Sequence, residues 1–161
     1  MKKNLVRDWM SPNPVTIGPK TTLHEAHAVM KEHQFRRLPV VEHDTLVGIV
    51  TLSEVLHAEP SDATSLSIFE LNYLLAKITI DEIMTRQVVT VPLSATIRDA
   101  ARIMLEHDVS GLPVMDGDKL VGIITESDIF RVLVQAPEEV AETSPTDPEG
   151  TPPAPVQVVS T

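Results

Sequence analysis

Two segments of the sequence place a hydroxyl and a carboxylate three residues apart, Thr51-Leu52-Ser53-Glu54 and Thr125-Glu126-Ser127-Asp128. A carboxylate held in the first turn of a helix can accept hydrogen bonds from two ribose hydroxyls, and the hydroxyls and free backbone NH groups beside it suit phosphate. The same spacing is that of a plain capping box, in which the carboxylate only satisfies the start of its own helix. The pattern therefore indicates either a nucleotide site or a helix cap.

Arg36 and Arg37 are adjacent cations that stand directly before an apolar segment, residues 38–40. Guanidinium groups are always charged, and their planar fork matches the oxygens of a phosphate. The pair could therefore bind phosphate. The alternative is that it forms surface ion pairs or contacts between copies of the chain.

Other residues that could carry chemistry are the histidines. His24 and His27 are three residues apart, close enough to share a metal ion, but no third ligand is evident near them. His33 and His107 stand near the ends of predicted helices, where a histidine caps the last carbonyls. The chain has no cysteine, and it contains neither a Gly-x-Ser-x-Gly elbow nor a GxxxxGK[ST] phosphate loop. We expect no metal site, no required cofactor and no enzymatic activity.

A repeat of 74 residues defines the elements that must position these side chains. Residues 10–58 align with residues 84–132 without a gap, and 18 of the 49 aligned pairs are identical. The longest identical blocks are LPV at 38–40 and 112–114, and LVGI at 46–49 and 120–123. The chain therefore contains two copies of one unit.

Each copy is predicted to fold as strand, helix, strand, strand, helix, in a mixed α/β (α+β) fold. Thr22 and Thr96 are each followed three residues later by a carboxylate, which is the pattern of a helix start. Apolar residues then recur at helical spacing, and short apolar strands follow on either side of a turn. Because one unit has too little core to be stable alone, we expect the two units to pack sheet against sheet.

The repeat and two changes in composition define the predicted boundaries. We assign the first unit, a linker, the second unit and a tail to residues 1–58, 59–79, 80–136 and 137–161. In the linker, Ser67 and Glu70 make another capping box before apolar residues at helical spacing, which predicts an ordered helix. The tail holds six of the thirteen prolines among Ser, Thr, Glu and Asp. We expect it to be disordered and to contribute nothing to stability.

Charge and hydropathy limit the partners. The net charge is -10 at pH 7 and aromatic residues make up 3% of the chain, which argues against binding nucleic acid through phosphates or stacked bases. Arg7 and Asp8 interrupt the apolar stretch after Lys2 and Lys3, so no signal-peptide core is expected, and no apolar run approaches about 18 residues. We expect a cytoplasmic protein without nucleic-acid or membrane partners.

The order and spacing of the motifs resemble those of a known family. The first copy reads MSPNPVTI, RRLPVV and LVGIVTLSE, and the second reads MTRQVVTV, SGLPVM and LVGIITESD. This pattern resembles the CBS domain over about residues 5–135. The segment SLSIFELNYLLAKI is further similar to bacterial acetoin-utilisation-type CBS proteins.

The resemblance implies two CBS domains related by pseudo-two-fold symmetry, with clefts that bind an adenosine-containing ligand such as AMP, ADP, ATP or S-adenosylmethionine. It also implies that the pair regulates a partner protein, here unidentified, and forms a homodimer. An apolar stripe on the last helix, with Ile129, Val132 and Leu133, supports the homodimer. The alternative is a structural dimerisation or adaptor module whose clefts are empty.

The resemblance also assigns residues to two clefts, because in the family the carboxylate of one repeat faces the residues before Leu-Pro of the other. The first cleft is then lined by Asn13, Val15, Thr16, Phe35, Arg36, Arg37, Pro39, Thr125, Ser127 and Asp128. A possible second cleft is lined by Thr51, Ser53, Glu54, Val89, Val109, Ser110 and Gly111. Since the second cleft has no pair of arginines, and Glu54 replaces the aspartate of the family, we predict that the Asp128 cleft is the main nucleotide site.

Overall fold

Two copies of the predicted unit form a mixed α/β fold. The structure, a computed structural model, describes residues 4–59 and 65–135. The first unit contains α1 (Leu23–His33), β2 (Arg37–Glu42), β3 (Thr45–Thr51) and α2 (Leu52–Ala58). The second contains β4 (Val91–Pro92), α4 (Ile97–His107), β5 (Gly111–Asp116), β6 (Lys119–Thr125) and α5 (Glu126–Gln135). The leading strand predicted for the first unit is reduced to a bridge between Ile17 and Val40. A short strand β1 (Ser11–Pro12) lies upstream of that bridge, and α3 (Ile68–Leu75) lies between the two units.

Capping boxes begin the helices at the predicted residues. In α1 the Thr22 hydroxyl accepts a hydrogen bond from the Glu25 backbone NH, and the Glu25 carboxylate accepts one from the Thr22 NH. These bonds to the charged form lower the pKa of Glu25. Thr96 and Asp99 do the same at α4. Both helices then end at a residue in the left-handed conformation, Gln34 or Asp108.

In each unit an antiparallel hairpin follows the first helix. Arg37 pairs with Thr51 at the open end of β2 and β3, and Gly111 pairs with Thr125 at the same place in β5 and β6. The turn of the first hairpin has positive φ at both His43 and Asp44, 48° and 61°, as a type I′ turn requires. Both hairpins thus place the Leu-Pro strand beside the strand that leads into the last helix.

The two units exchange their leading segments. The strand β1 belongs to the first repeat but pairs with β6 of the second, and Thr85 of the second repeat bridges to Ile49 of the first. Val6 is buried in the core of the second unit, whereas Ile80 and Met84 are buried in the core of the first. The repeat boundaries that sequence predicts are therefore not the packing boundaries, because each core is closed by a segment from the other repeat.

The cores themselves lie where the apolar periodicity places them. The first is built around fully buried Leu23, Leu38 and Val50, and the second around Leu112, Val114 and Ile124. Strand β3 of the first unit lies near β6 of the second. The two units therefore meet at these strands.

Gly48 and Gly122 allow the leading segment of the other repeat to approach each hairpin. A Cβ atom at Gly122 would lie 2.5 Å from the Met10 sulfur and 2.9 Å from the Ser11 carbonyl oxygen. We expect Gly122→Ala to lower the free energy of unfolding by about 1–3 kcal/mol, because an overpacked site forces the backbone to shift. Urea denaturation of the variant and the wild type measures this difference.

Gly18 is the matched control for that prediction. A Cβ atom there would meet nothing within 4 Å, so Gly18→Ala should change the stability by less than about 0.5 kcal/mol. Equal stability of Gly122→Ala and Gly18→Ala would contradict the close approach of β1 to β6.

The predicted linker helix is present as α3, with the reciprocal capping box of Ser67 and Glu70. It contributes no buried residue, and Ile68, Phe69 and Tyr73 are exposed. Residues 1–3, 60–64 and 136–161, which include the whole predicted tail, lie outside the described residues. Within the described part of the chain, no helix combines the length and the apolar character needed to cross a membrane.

Candidate functional site

A cleft of about 630 Å³ lies where the two repeats meet, a volume typical of small-molecule sites. Eight of the ten residues predicted for the first cleft line it: Asn13, Val15, Phe35, Arg36, Arg37, Thr125, Ser127 and Asp128. The first repeat supplies the extended segment before α1 and the loop before β2. The second repeat supplies the end of β6 and the start of α5. The structure thus brings the basic pair and the carboxylate into one cleft.

Asp128 is the only charged or polar side chain that is buried in the described part of the chain, with 6% of its surface exposed. Its Oδ2 accepts hydrogen bonds from the backbone NH and the hydroxyl of Thr125, at 2.9 and 3.0 Å. Its Oδ1 accepts one from Arg131, at 2.8 Å. The carboxylate is therefore both a helix cap and the wall of a cleft.

Asp99 shows what this arrangement looks like without a cleft. Thr96, Asp99 and Arg102 repeat the spacing of Thr125, Asp128 and Arg131, with a capping box and an ion pair at i,i+3. The Asp99 side chain is 39% exposed, whereas that of Asp128 is 8% exposed. Capping alone does not require burial, so burial distinguishes Asp128 from an ordinary cap.

The two arginines of the basic pair are held differently. Arg37 donates from Nη2 to the Ser110 hydroxyl of the other repeat at 2.6 Å, and its guanidinium lies where a side chain on Gly111 would be. Burial lowers the pKa of Arg37 from its usual value, and the nearby Glu126 carboxylate partly opposes this shift. The exposed guanidinium of Arg36 makes no hydrogen bond or ion pair with the described residues.

Two predicted residues do not line the cleft. Successive residues of an extended segment point to opposite sides, and Thr16 lines a neighbouring cavity while Val15 lines the cleft. Pro39 is buried in the middle of β2, where it pairs with Ile49. Pro39 therefore lies within the hairpin of the first unit and not at the cleft.

The residues predicted for a second cleft are only partly together. Ser110 lines the first cleft instead, where its hydroxyl accepts a hydrogen bond from Arg37. Arg37 also covers Gly111. At Glu54, Oε2 accepts from the NH and hydroxyl of Thr51, and Oε1 accepts from the Thr85 hydroxyl at 3.0 Å. The remaining members, Ser53, Val89 and Val109, are not among the residues that line the Asp128 cleft.

Sequence reasoning did not find several residues of the cleft: Ser11, Pro12, Pro14, Gln34, Ile123, Glu126 and Arg131. Arg131 carried a detectable signal, since it follows Asp128 by three residues and must lie on the same side of α5. Ser11 and Pro12 carried none, because they reach the cleft only through the pairing of β1 with β6.

The histidines lie elsewhere. His27 Nδ1 is 2.7 Å from Glu59 Oε1, at the end of α2. His33 and His107 are in the last turns of α1 and α4, as predicted. Among residues 4–59 and 65–135, no three histidine or acidic side chains are grouped closely enough to hold a metal ion.

Known proteins resemble the chain in fold and sequence. CBSX2 of Arabidopsis thaliana, solved in complex with AMP, superposes with a TM-score of 0.68 and 31% identity over 82% of this chain and 97% of that one. The CBS domain pair of protein MJ0100, in complex with 5-methylthioadenosine and S-adenosyl-L-methionine, gives 0.67 and 32% over 81% and 95%. An acetoin utilization protein from Vibrio cholerae gives 0.67 and 30% over 81% and 90%.

A curated relative is much longer than this chain. An L-aspartate semialdehyde sulfurtransferase from Methanocaldococcus jannaschii is 34% identical over 131 residues, which are 80% of this chain but 23% of that protein. The family model of the CBS domain matches twice, at residues 6–61 and 80–135. The chain therefore belongs to the CBS-domain family and carries two CBS domains in tandem.

Proposed function

We propose that this CBS pair is a regulatory module that binds an adenosine-containing ligand in the Asp128 cleft. The observation that carries the proposal is the meeting of a buried carboxylate from one repeat with two arginines from the other. A module that only joined proteins would have no need of a buried charge, which is costly to desolvate. The AMP, 5-methylthioadenosine and S-adenosyl-L-methionine of the related structures support this ligand class.

Each part of such a ligand has a matching part of the cleft. Asp128 accepts hydrogen bonds from the ribose hydroxyls, because it is an acceptor-only group when ionised. Arg36 and Arg37 bind the phosphates through charge-assisted hydrogen bonds. The backbone from Asn13 to Val15 lies beside the adenine. The ligand thereby joins the two repeats, so its binding free energy stabilises their relative placement.

We propose one such ligand for each chain. In the pseudo-symmetric position, Arg37 covers Gly111 and binds Ser110, so the first repeat already fills the surface that a second ligand would use. Glu54 Oε1 accepts a hydrogen bond from Thr85 of the other repeat, whereas Asp128 Oδ1 accepts one from Arg131 of its own helix. These contacts support a closed second cleft.

We also propose that the module acts as a cytoplasmic homodimer that regulates a partner protein. The exposed apolar side chains of α5, Phe130, Leu133 and Val134, support a dimer contact, as does exposed Leu105 of α4. Ile129, from the stripe read in the sequence, instead packs against the second core. Because the chain corresponds to 23% of the sulfurtransferase, we propose a regulatory role and not that enzyme's activity.

Titration calorimetry of the wild type tests the proposal. We expect AMP, ADP, ATP or S-adenosylmethionine to bind with a stoichiometry of one per chain, and to raise the melting temperature. Ligand at a hundred times its Kd stabilises a protein by about 2.7 kcal/mol. If no adenosine compound binds at millimolar concentration, the adaptor module becomes the better interpretation, and two equivalent sites per chain would contradict the closed second cleft.

A further inference from the structure

Arg131 forms an ion pair with Asp128, the carboxylate that the proposed ligand would bind. Its Nη1 lies 2.8 Å from Asp128 Oδ1, and its side chain is 54% exposed at the wall of the cleft. Asp128 beside it is almost completely buried. The ion pair therefore has one partner fixed in the protein and one partner that is free to move into the cleft.

The acceptor capacity of Asp128 limits what can bind beside Arg131. Each carboxylate oxygen accepts about two hydrogen bonds. Oδ2 already accepts two from Thr125, and Oδ1 accepts one from Arg131. Only one position is left for a ribose that offers two hydroxyls. A ribose that uses both hydroxyls on Asp128 must displace Arg131.

We infer that Arg131 is a displaceable counterion that makes the cleft select phosphorylated over unphosphorylated adenosyl ligands. The inference rests on the proposed function. Every riboside that uses both of its ribose hydroxyls on Asp128 breaks the ion pair, which leaves the guanidinium without its carboxylate. A phosphate group gives the displaced Arg131 a new anionic partner in the same cleft, whereas adenosine offers it none. Between adenosine and its phosphorylated forms, only a phosphorylated form therefore recovers the cost of displacing Arg131.

The chain supplies two internal comparisons. Arg102 forms the same i,i+3 pair with Asp99, on a helix face outside the cleft. In the first repeat the position equivalent to Arg131 is His57, whose Nδ1 lies 2.7 Å from the Ser53 carbonyl oxygen instead of Glu54. Among the ion pairs of the described residues, only that of Asp128 and Arg131 therefore lies at the wall of the cleft.

Titrations of Arg131→Met with adenosine and with ADP test the inference, with Arg102→Met as the matched control. Methionine removes the charge and keeps an unbranched apolar stem that suits a helix. Arg131→Met should bind adenosine more tightly than the wild type and ADP about ten-fold more weakly, since it loses a charge-assisted bond to phosphate. Arg102→Met should change neither affinity.

Arg131→Lys provides a second variant that keeps the charge. It should retain a preference for ADP over adenosine closer to that of the wild type than Arg131→Met does. If Arg131→Met weakens both ligands equally, or changes neither, Arg131 does not select for phosphate and this inference is wrong while the proposed function stands. If the wild type binds neither ligand, the proposed function fails and the inference fails with it.

Discussion

Asp128→Ala should weaken the binding of every adenosine-containing ligand by about ten-fold to a hundred-fold, because hydrogen bonds to a charged group contribute about 1.5–3 kcal/mol. The loss should be similar for adenosine, AMP and ATP, since the ribose is common to all three. Titration calorimetry measures it. The same carboxylate caps α5, so the variant should also lose about 1 kcal/mol of folding stability.

Asp99→Ala separates these two effects. It removes an equivalent capping box and ion pair outside the cleft, so it should cost similar stability and leave affinity unchanged. Glu54→Ala should also affect affinity less than Asp128→Ala, because Glu54 does not line the cleft that holds Arg36 and Arg37. Loss of binding in Glu54→Ala together with normal binding in Asp128→Ala would reverse the assignment of the site.

The second large effect is expected from Arg36→Ala combined with Arg37→Ala. This double variant should bind ATP and ADP at least about a hundred-fold more weakly, because each arginine supplies a charge-assisted contact to phosphate of about 1.5–3 kcal/mol. Adenosine should be affected much less. The dependence of ADP affinity on salt concentration should flatten, since phosphate contacts are screened by ions. Calorimetry at two salt concentrations gives both results.

A change in net charge alone could also weaken the binding of an anionic ligand. Arg98→Ala combined with Arg102→Ala is the control for this effect. These two arginines are on α4, outside the cleft, and their loss changes the net charge by the same amount. ADP affinity should stay within a few-fold of the wild type. If both double variants weaken ADP binding by the same factor, the phosphates are held by long-range electrostatic attraction and not by contacts with Arg36 and Arg37.

Much of the fold follows from local patterns in the sequence. Thr22, Ser67 and Thr96 begin helices as predicted, because a capping box satisfies backbone groups within four residues of each other. The period of 74 residues predicts two equivalent units, and the structure contains them. Such signals can be read from a sequence because the residues that interact are close along the chain.

The proposed asymmetry between the clefts depends on contacts between the two repeats. Arg37 and Gly111 are equivalent positions, and the sequence shows only that one has a long side chain and the other has none. The structure shows that the long side chain lies on the position without one and binds Ser110. Ser110, which was predicted for the second cleft, lines the first cleft beside Arg37.

By itself, the sequence indicated the family, most of the order of helices and strands, and the carboxylates and arginines that are candidates for binding a nucleotide. Only the tertiary structure decided which capping carboxylate is buried, since Asp99 and Asp128 have the same local pattern and differ in what packs on them. It also decided that each leading segment completes the core of the other repeat. Burial and strand exchange depend on the apolar surface that segments far apart in the sequence remove from water when they pack together. The spacing of residues within one segment contains no information about that packing.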